Sequence, residues 1–170
     1  MTIIAETERI ILRPYTPDDI NDFHAIVSDP VTMEFYPAPF SREKSIAWIE
    51  RSIASYAKHG FGRWPIIEKA SGGIIGDCGI IHSTLDGREV IDLGYIFSHH
   101  VHGKGYATEA ATAVRDHALE TLNIPVIHAN MARDHHASSR VAEKIGMTRI
   151  GEFLNERNRN FPTFIYELRR

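Results

Sequence analysis

The sequence predicts an α/β fold: a mixed, mostly antiparallel sheet of six or seven strands with helices on both faces. Three observations predict it. From Phe61 to Phe97, three strand-like runs are separated by the turn pairs Gly72-Gly73 and Asp86-Gly87, which makes an antiparallel meander. The last of these runs leads into His102-Gly103-Lys104-Gly105 and then into an alanine-rich helical stripe. The next strand begins only beyond that helix, and a strand reached from its neighbour through a helix runs parallel to it.

Taken in order, Arg9 to Tyr15 is a first strand with Ile10 and Leu12 on one face, ended by Pro14 and Pro17. Thr16-Pro17-Asp18-Asp19 starts a helix to about Val27, with Thr16 as N-cap, proline at the first helical position and carboxylates in the first turn. Asp29 to Phe40 holds three prolines and the aromatics Phe35, Tyr36 and Phe40, and reads as a loop. A second helix starts at Ser41, carries Ile46, Ile49, Ile53 and Tyr56 at helical spacing, and stops at Gly60. The meander follows as Phe61 to Glu68, Ile74 to His82 and Glu89 to Phe97. After the glycine loop, Ala107, Ala110, Ala111, Val114 and Ala118 fall on one stripe of a third helix. Pro125 to Asn130 is the fifth strand, Ala137 to Ile145 a fourth helix ended by Gly146, and Met147 to Phe153 and Phe161 to Leu168 close as a hairpin across Asn155 to Asn160. The whole of residues 1–170 reads as a single domain, long enough to bury a sizeable core without staples.

Composition removes several function classes. No stretch has the apolar length of a membrane span, and the first residues lack the basic and apolar regions of a secretory leader, so the expected location is the cytoplasm. A formal net charge of −3 with no basic cluster gives nucleic acid no attracting field. Cys78 is the sole cysteine and sits in a strand-like run, where it reads as a small buried thiol. His99, His100, His102, His135 and His136 gather near one end of the chain's chemistry, but their spacing matches no structural zinc pattern, and no metal is expected.

The stretch from His102 to Ala110 carries the chemistry. A loop with two glycines ahead of a helix leaves amide N–H groups unpaired and aimed at one point, and the helix dipole adds partial positive charge there. Gly103 and Gly105 let an anion approach the backbone and allow positive φ, and Lys104 adds a cation. The Walker loop does not fit, because Gly103-Lys104 is followed by glycine rather than a hydroxyl residue. The dinucleotide fingerprint does not fit either, because Thr108 stands at its third glycine.

Four segments, in this order and spacing, together resemble the GNAT superfamily of acetyl-CoA-dependent N-acetyltransferases, in particular its RimJ/RimL-type branch. They are Gly72 to Gly79, Asp92-Leu93-Gly94-Tyr95, Gly103 to Ala110, and Ala137 to Met147. The resemblance implies a sheet whose fourth and fifth strands splay apart, with acetyl-CoA as co-substrate. It places the amides of His102, Gly103, Lys104, Gly105, Tyr106, Ala107 and Thr108 on the pyrophosphate of CoA, and the backbone near Ile96 and Phe97 along the pantetheine arm. Histidine replaces the family's usual glutamine or arginine at His102. It also stands at His135, where relatives carry an asparagine that touches the cofactor arm. His135 either donates in its place or is a solvated loop residue.

The reaction implied is attack of a neutral amine on the thioester carbonyl. The acceptor is a protein N-terminal amine, whose ordinary pKa is about 7.7–8, or a small-molecule amine. Asp92 matches the family's acidic position and is the first candidate base; the alternative is an exposed carboxylate on an alternating strand. Glu34 is the second candidate. A backbone N–H near Phe97 would hold the oxyanion. Many relatives carry a tyrosine acid where this chain has Ala142, and in the RimJ/RimL-type branch a serine takes that role, here Ser138. Its other reading is a helix-start hydroxyl bonded to the backbone. Met33, Glu34, Phe35, Tyr36 and Phe40 either line an acceptor groove or cap the core. A binding-only acyl-CoA sensor is the alternative to an enzyme, and a homodimer is compatible with the chain.

Overall fold

The computed structural model describes residues 2–170. Its strands are β1 (Ala5–Glu6), β2 (Ile10–Leu12), β3 (Arg63–Glu68), β4 (Ile74–Leu85), β5 (Arg88–Phe97), β6 (Val126–Ala132), β7 (Thr148–Asn155) and β8 (Phe161–Arg169). They form one sheet in the order β1-β2-β3-β4-β5-β6-β8-β7. The expected six or seven strands become eight because Ala5–Glu6 pairs back onto β2, Ala5 opposite Leu12. That rung is a two-residue hairpin edge with no apolar alternation of its own, so periodicity could not find it. The first strand is also shorter than expected, ending at Leu12 instead of Tyr15.

All neighbours are antiparallel except β5 and β6, the fourth and fifth strands of the sequence reading. These two share a single rung, Asp92 opposite His128. Beyond it, toward Phe97 on one strand and Ala132 on the other, they splay apart in a V. The meander turn at Asp86 (φ 48°) and Gly87 (φ 76°) has both central residues left-handed, the geometry of a two-residue type I′ hairpin.

The helices are α1 (Ile20–Val27), α2 (Arg42–His59), α3 (Tyr106–Asp116) and α4 (His136–Lys144). The Thr16 start opens first into a 3₁₀ turn, Pro17–Asp19, in which Asp19 Oδ2 accepts from the Thr16 amide at 2.8 Å. Ser41 Oγ caps α2 by accepting from Lys44 N, and Gly60 at φ 78° ends it.

Two apolar clusters lie on the two faces. Ile10, Leu12, Trp64, Cys78, Ile80, Leu93 and Ile127 pack with Ala110, Ala111 and Val114 of α3 and Ala142 of α4. Tyr15, Phe23, Val27, Met33, Phe40, Ile49 and Ile96 form the other cluster with α1 and α2. Burying each large side chain contributes roughly 1.5–3 kcal/mol, so these clusters hold the helices to the sheet. Alternation along β5 decides the faces: Leu93 and Phe97 point to α3 and α4, Ile96 to α1 and α2. Cys78 is buried, with its thiol pushed up to about 12 by burial, which suits packing and not nucleophilic work.

Candidate active site

The glycine loop adopts the backbone that an anion cradle requires. Gly103 sits at φ 76° and Gly105, the N-cap of α3, at φ 83°. Both conformations suit glycine and strain other L-residues. Among the described residues, the amides of Gly103, Lys104, Gly105, Tyr106, Ala107 and Thr108 have no protein acceptor, and pairing resumes at Glu109 N, which donates to Gly105 O at 3.1 Å. His102 departs from the expected set. Its amide donates to His99 O at 3.2 Å, while its ring Nε2 lies 2.9 Å from Phe97 O. His102 therefore shapes the loop instead of offering its N–H to a ligand.

The loop is buttressed from behind. Glu109, in the first turn of α3, accepts from Arg9 Nε at 2.7 Å and from Thr7 Oγ1 at 2.5 Å, and Arg9 Nη1 also donates to Lys104 O at 2.8 Å. Tyr106 turns inward, donating its hydroxyl to Glu68 at 2.5 Å beneath the Arg9 guanidinium.

In front of the loop lies a cavity of about 550 Å³ lined by residues 101–103, 105–108, 134–138 and 95–97 and by Val31, Thr32, Glu34, Phe35 and Tyr36. The cofactor residues expected from the sequence, Lys104 excepted, thus share one space with Ser138 and Glu34. Glu34 is exposed at its edge, and its backbone oxygen accepts from Arg159 at 3.1 Å. Neighbouring Phe35 stacks on His135, centroids 4.1 Å apart and planes 12° apart. His135 is therefore not the solvated residue of the second reading; burial first, then the charges of His102 and His136, lower its pKa to about 4. His136 beside it is exposed. The aromatic loop splits between its two expected fates: Met33 and Phe40 cap the core, while Phe35 and Tyr36 line the cavity. Asn158, in the β7–β8 turn, holds Phe35 O at 2.6 Å.

Ser138 is buried in the first turn of α4, but its hydroxyl does not bond the backbone. It lies 2.8 Å from the Tyr95 hydroxyl, which is also 3.1 Å from Ser138 O. Asp92 is not an exposed carboxylate. It stands at the vertex of the V, on the face opposite Leu93 and Tyr95, with Oδ2 accepting from Asn130 Nδ2 at 3.0 Å and Oδ1 buried without a partner. Burial pushes its pKa up to about 7, against the lowering pull of Asn130 and of the Arg63 charge. Asp92 does not line the cavity; it is separated from Ser138 by the sheet itself.

Three features escaped sequence reasoning. Asn130 had a signal, since His128 and Asn130 alternate with Ile127, Ala129 and Met131 and so mark a polar face on β6. The pair Arg63 and Asp77 had none, because both stand in otherwise apolar runs. Asp77 is fully buried and accepts from Arg63 Nη2 at 2.5 Å, Trp48 Nε1 at 2.8 Å and the Tyr15 hydroxyl at 3.1 Å. Nor did any local pattern point to Tyr95 as a partner of Ser138. Of the five histidines, His99 bonds Asp29 at 2.5 Å and His102, His135 and His136 line the cavity, and no group of three side chains that could hold a metal ion occurs among the described residues.

Comparison with known proteins gives the family. Residues 9–148 match the acetyltransferase (GNAT) domain family. The chain is 31% identical over 142 residues to the uncharacterized protein YkkB of Bacillus subtilis, covering 83% of each. An acetyltransferase from Agrobacterium tumefaciens superposes with a TM-score of 0.82 at 28% identity, covering all of this chain and 95% of that one. RimL, a ribosomal alpha-N-protein acetyltransferase in complex with coenzyme A, superposes with a TM-score of 0.79 at 14% identity over 99% and 98% of the two chains, a likeness of fold. With the family matched over most of its length, the chain belongs to the GNAT acetyltransferases and is an acyltransferase enzyme.

Proposed function

We propose that this protein moves the acetyl group of acetyl-CoA to a primary amine, a protein N-terminal α-amine or a small-molecule amine, as an N-acetyltransferase of RimJ/RimL type acting in the cytoplasm. The observation that carries the reading is the set of unpaired amides from Gly103 to Thr108 opening on the cavity that also holds Ser138. Six donors at a helix head hold a diphosphate without any side chain. Lys104, exposed on the same loop, and Arg140, on the cavity wall, add positive charge around it. The RimL fold holds coenzyme A, which supports the same cofactor here.

The cofactor arm runs from the loop along the open side of β5 beside Ile96 and Phe97, where β6 has diverged. With the carbonyl of Phe97 engaged by His102, its amide is left to meet the developing oxyanion. The amine attacks the thioester carbonyl as a C–N bond forms and the C–S bond breaks. Asp92, with a pKa of about 7, is tuned to take the amine proton near neutral pH, through a water that enters the V with substrate. Glu34, exposed on the cavity edge, draws the ammonium form of the acceptor toward the site. The Phe35–His135 stack closes the wall between acceptor and cofactor, with His135 neutral and able to donate to the arm.

Calorimetry with CoA tests the loop, and a mass-spectrometric screen of N-terminal peptides, polyamines and aminoglycosides tests the acceptor. Heat at micromolar CoA and a gain of about 42 Da on at least one amine, the mass of an added acetyl, are expected. No heat at millimolar CoA would remove the reading.

A further inference from the structure

The mechanism so far leaves the hydrogen of Ser138 without direction, and the hydrogen bonds around it supply one. Tyr95 reaches from β5 across the cavity to the first turn of α4, where its oxygen lies 2.8 Å from Ser138 Oγ and 3.1 Å from Ser138 O. Both residues line the cavity. One helical turn further on, the same face carries buried Ala142, which has no polar group to offer.

Two hydrogens are shared here, one phenolic and one from serine. In one arrangement Ser138 donates to Tyr95 and the phenol donates to the carbonyl; the serine hydrogen is then consumed internally. In the other, Tyr95 donates to Ser138 Oγ and the serine hydrogen is released to the cavity. Among the described residues no other acceptor engages Ser138 Oγ, so an anion arriving in front of it selects the second arrangement.

We propose that Tyr95 is a positioning residue: it donates to Ser138 Oγ and thereby turns the serine O–H onto the sulfur of departing coenzyme A. This rests on the acetyl-transfer reading above. As the C–S bond breaks, its electron pair goes to sulfur and the thiolate leaves hydrogen-bonded to Ser138. Neither hydroxyl gives up its proton; the sulfur is protonated later by solvent. Burial supports this division, because it holds the Tyr95 phenol well above its ordinary value, whereas a free thiol lies at about 8.5, so proton transfer from the pair to sulfur would run uphill.

The test is steady-state kinetics of the whole enzyme for Ser138→Ala, Ser138→Thr, Tyr95→Phe and the double variant Tyr95→Phe/Ser138→Ala, each checked by circular dichroism and CoA calorimetry. Ser138→Ala should lower kcat about tenfold or more, the worth of one hydrogen bond to a charged group, with KM for acetyl-CoA changed less than about twofold. Tyr95→Phe should lower kcat by roughly three- to tenfold, and the double variant should be no slower than Ser138→Ala alone, since the tyrosine acts only through the serine. Ser138→Thr, which keeps the hydroxyl, should retain most of the rate.

Multiplying losses in the double variant would overturn the coupling while leaving Ser138 in its role. Full activity of both single variants would overturn the role of Ser138 and, with it, this inference. If Tyr95→Phe does not fold, the readout is an acetyl thioester of a coenzyme A analogue with a more acidic thiol: the Ser138→Ala defect should shrink on it, and an unchanged defect would count against thiolate stabilisation.

Discussion

Replacing Gly103 by alanine isolates the loop from everything else, because a Cβ built there meets nothing within 4 Å. The only penalty is conformational: at φ 76° an L-residue costs about 1–2 kcal/mol relative to glycine. Gly87, in the β4–β5 turn, offers a matched control with the same φ of 76° and the same open space. If the loop keeps its shape in the free protein, the penalty appears as lost stability, roughly 2–8 °C in Tm for a chain of this length. If instead the loop relaxes when empty, the penalty is met on binding and weakens CoA by about 5- to 30-fold. Gly87→Ala can show only the first effect. Calorimetry with CoA and thermal melts on both variants separate the cases. The expected result is weaker CoA binding for Gly103→Ala and unchanged binding for Gly87→Ala. Equal losses of Tm with CoA affinity intact in both would show that the loop keeps its shape when empty, whereas absence of heat with CoA in the unsubstituted protein would refute the assignment of these amides to the cofactor.

Asp92→Asn should lower kcat and abolish the acidic limb near pH 7, while Asn130→Ala should shift that limb upward by removing the bond that favours the carboxylate; pH–rate profiles check both. Because the folded value of Asp92 lies above the ordinary carboxylate value, the native state holds its proton more tightly than the unfolded chain. Its contribution to stability is full below about pH 4 and declines up to about pH 7, and Asp92→Asn should flatten that slope in pH-dependent denaturant melts. Phe35→Ala uncovers His135, so its pKa should climb from about 4 toward about 6.5, as read by NMR titration. Asp77→Asn leaves a buried guanidinium without its carboxylate and should cost about 3–5 kcal/mol in denaturant melts. Retention of full stability there would mean that water reaches Arg63.

The meander, the parallel pair and the glycine loop were legible because each is written in local chemistry: turn residues at fixed spacing, alternation, and a glycine pair before a helical stripe. The family resemblance added the splay and the serine. Contacts between distant parts of the chain were not legible. Asn158 grips the backbone at Phe35 across 123 positions, and Tyr95 meets Ser138 across 43. No periodicity encodes such pairings, which depend on how β5, α4 and the β7–β8 turn converge on one cavity. His102 shows the other limit. The motif puts it in the cradle, yet the backbone before it forms a 3₁₀ turn, His99–Val101, that claims its amide. The burial of Asp92 Oδ1 also depended on the sheet, since it is the pairing of β5 with β6 that brings His128 and Asn130 beside it.

Gly94 sits where a side chain of any kind would collide with the Arg63 guanidinium, which also packs against the Trp48 ring and pairs with Asp77. Each member of this group forbids changes in the others. Drift at position 94 is blocked while arginine occupies 63, and arginine cannot leave without stranding the acid beneath it. Homologues should therefore carry these residues together or have replaced them together, so that the group behaves in descent as one heritable character spread over three strands and a helix.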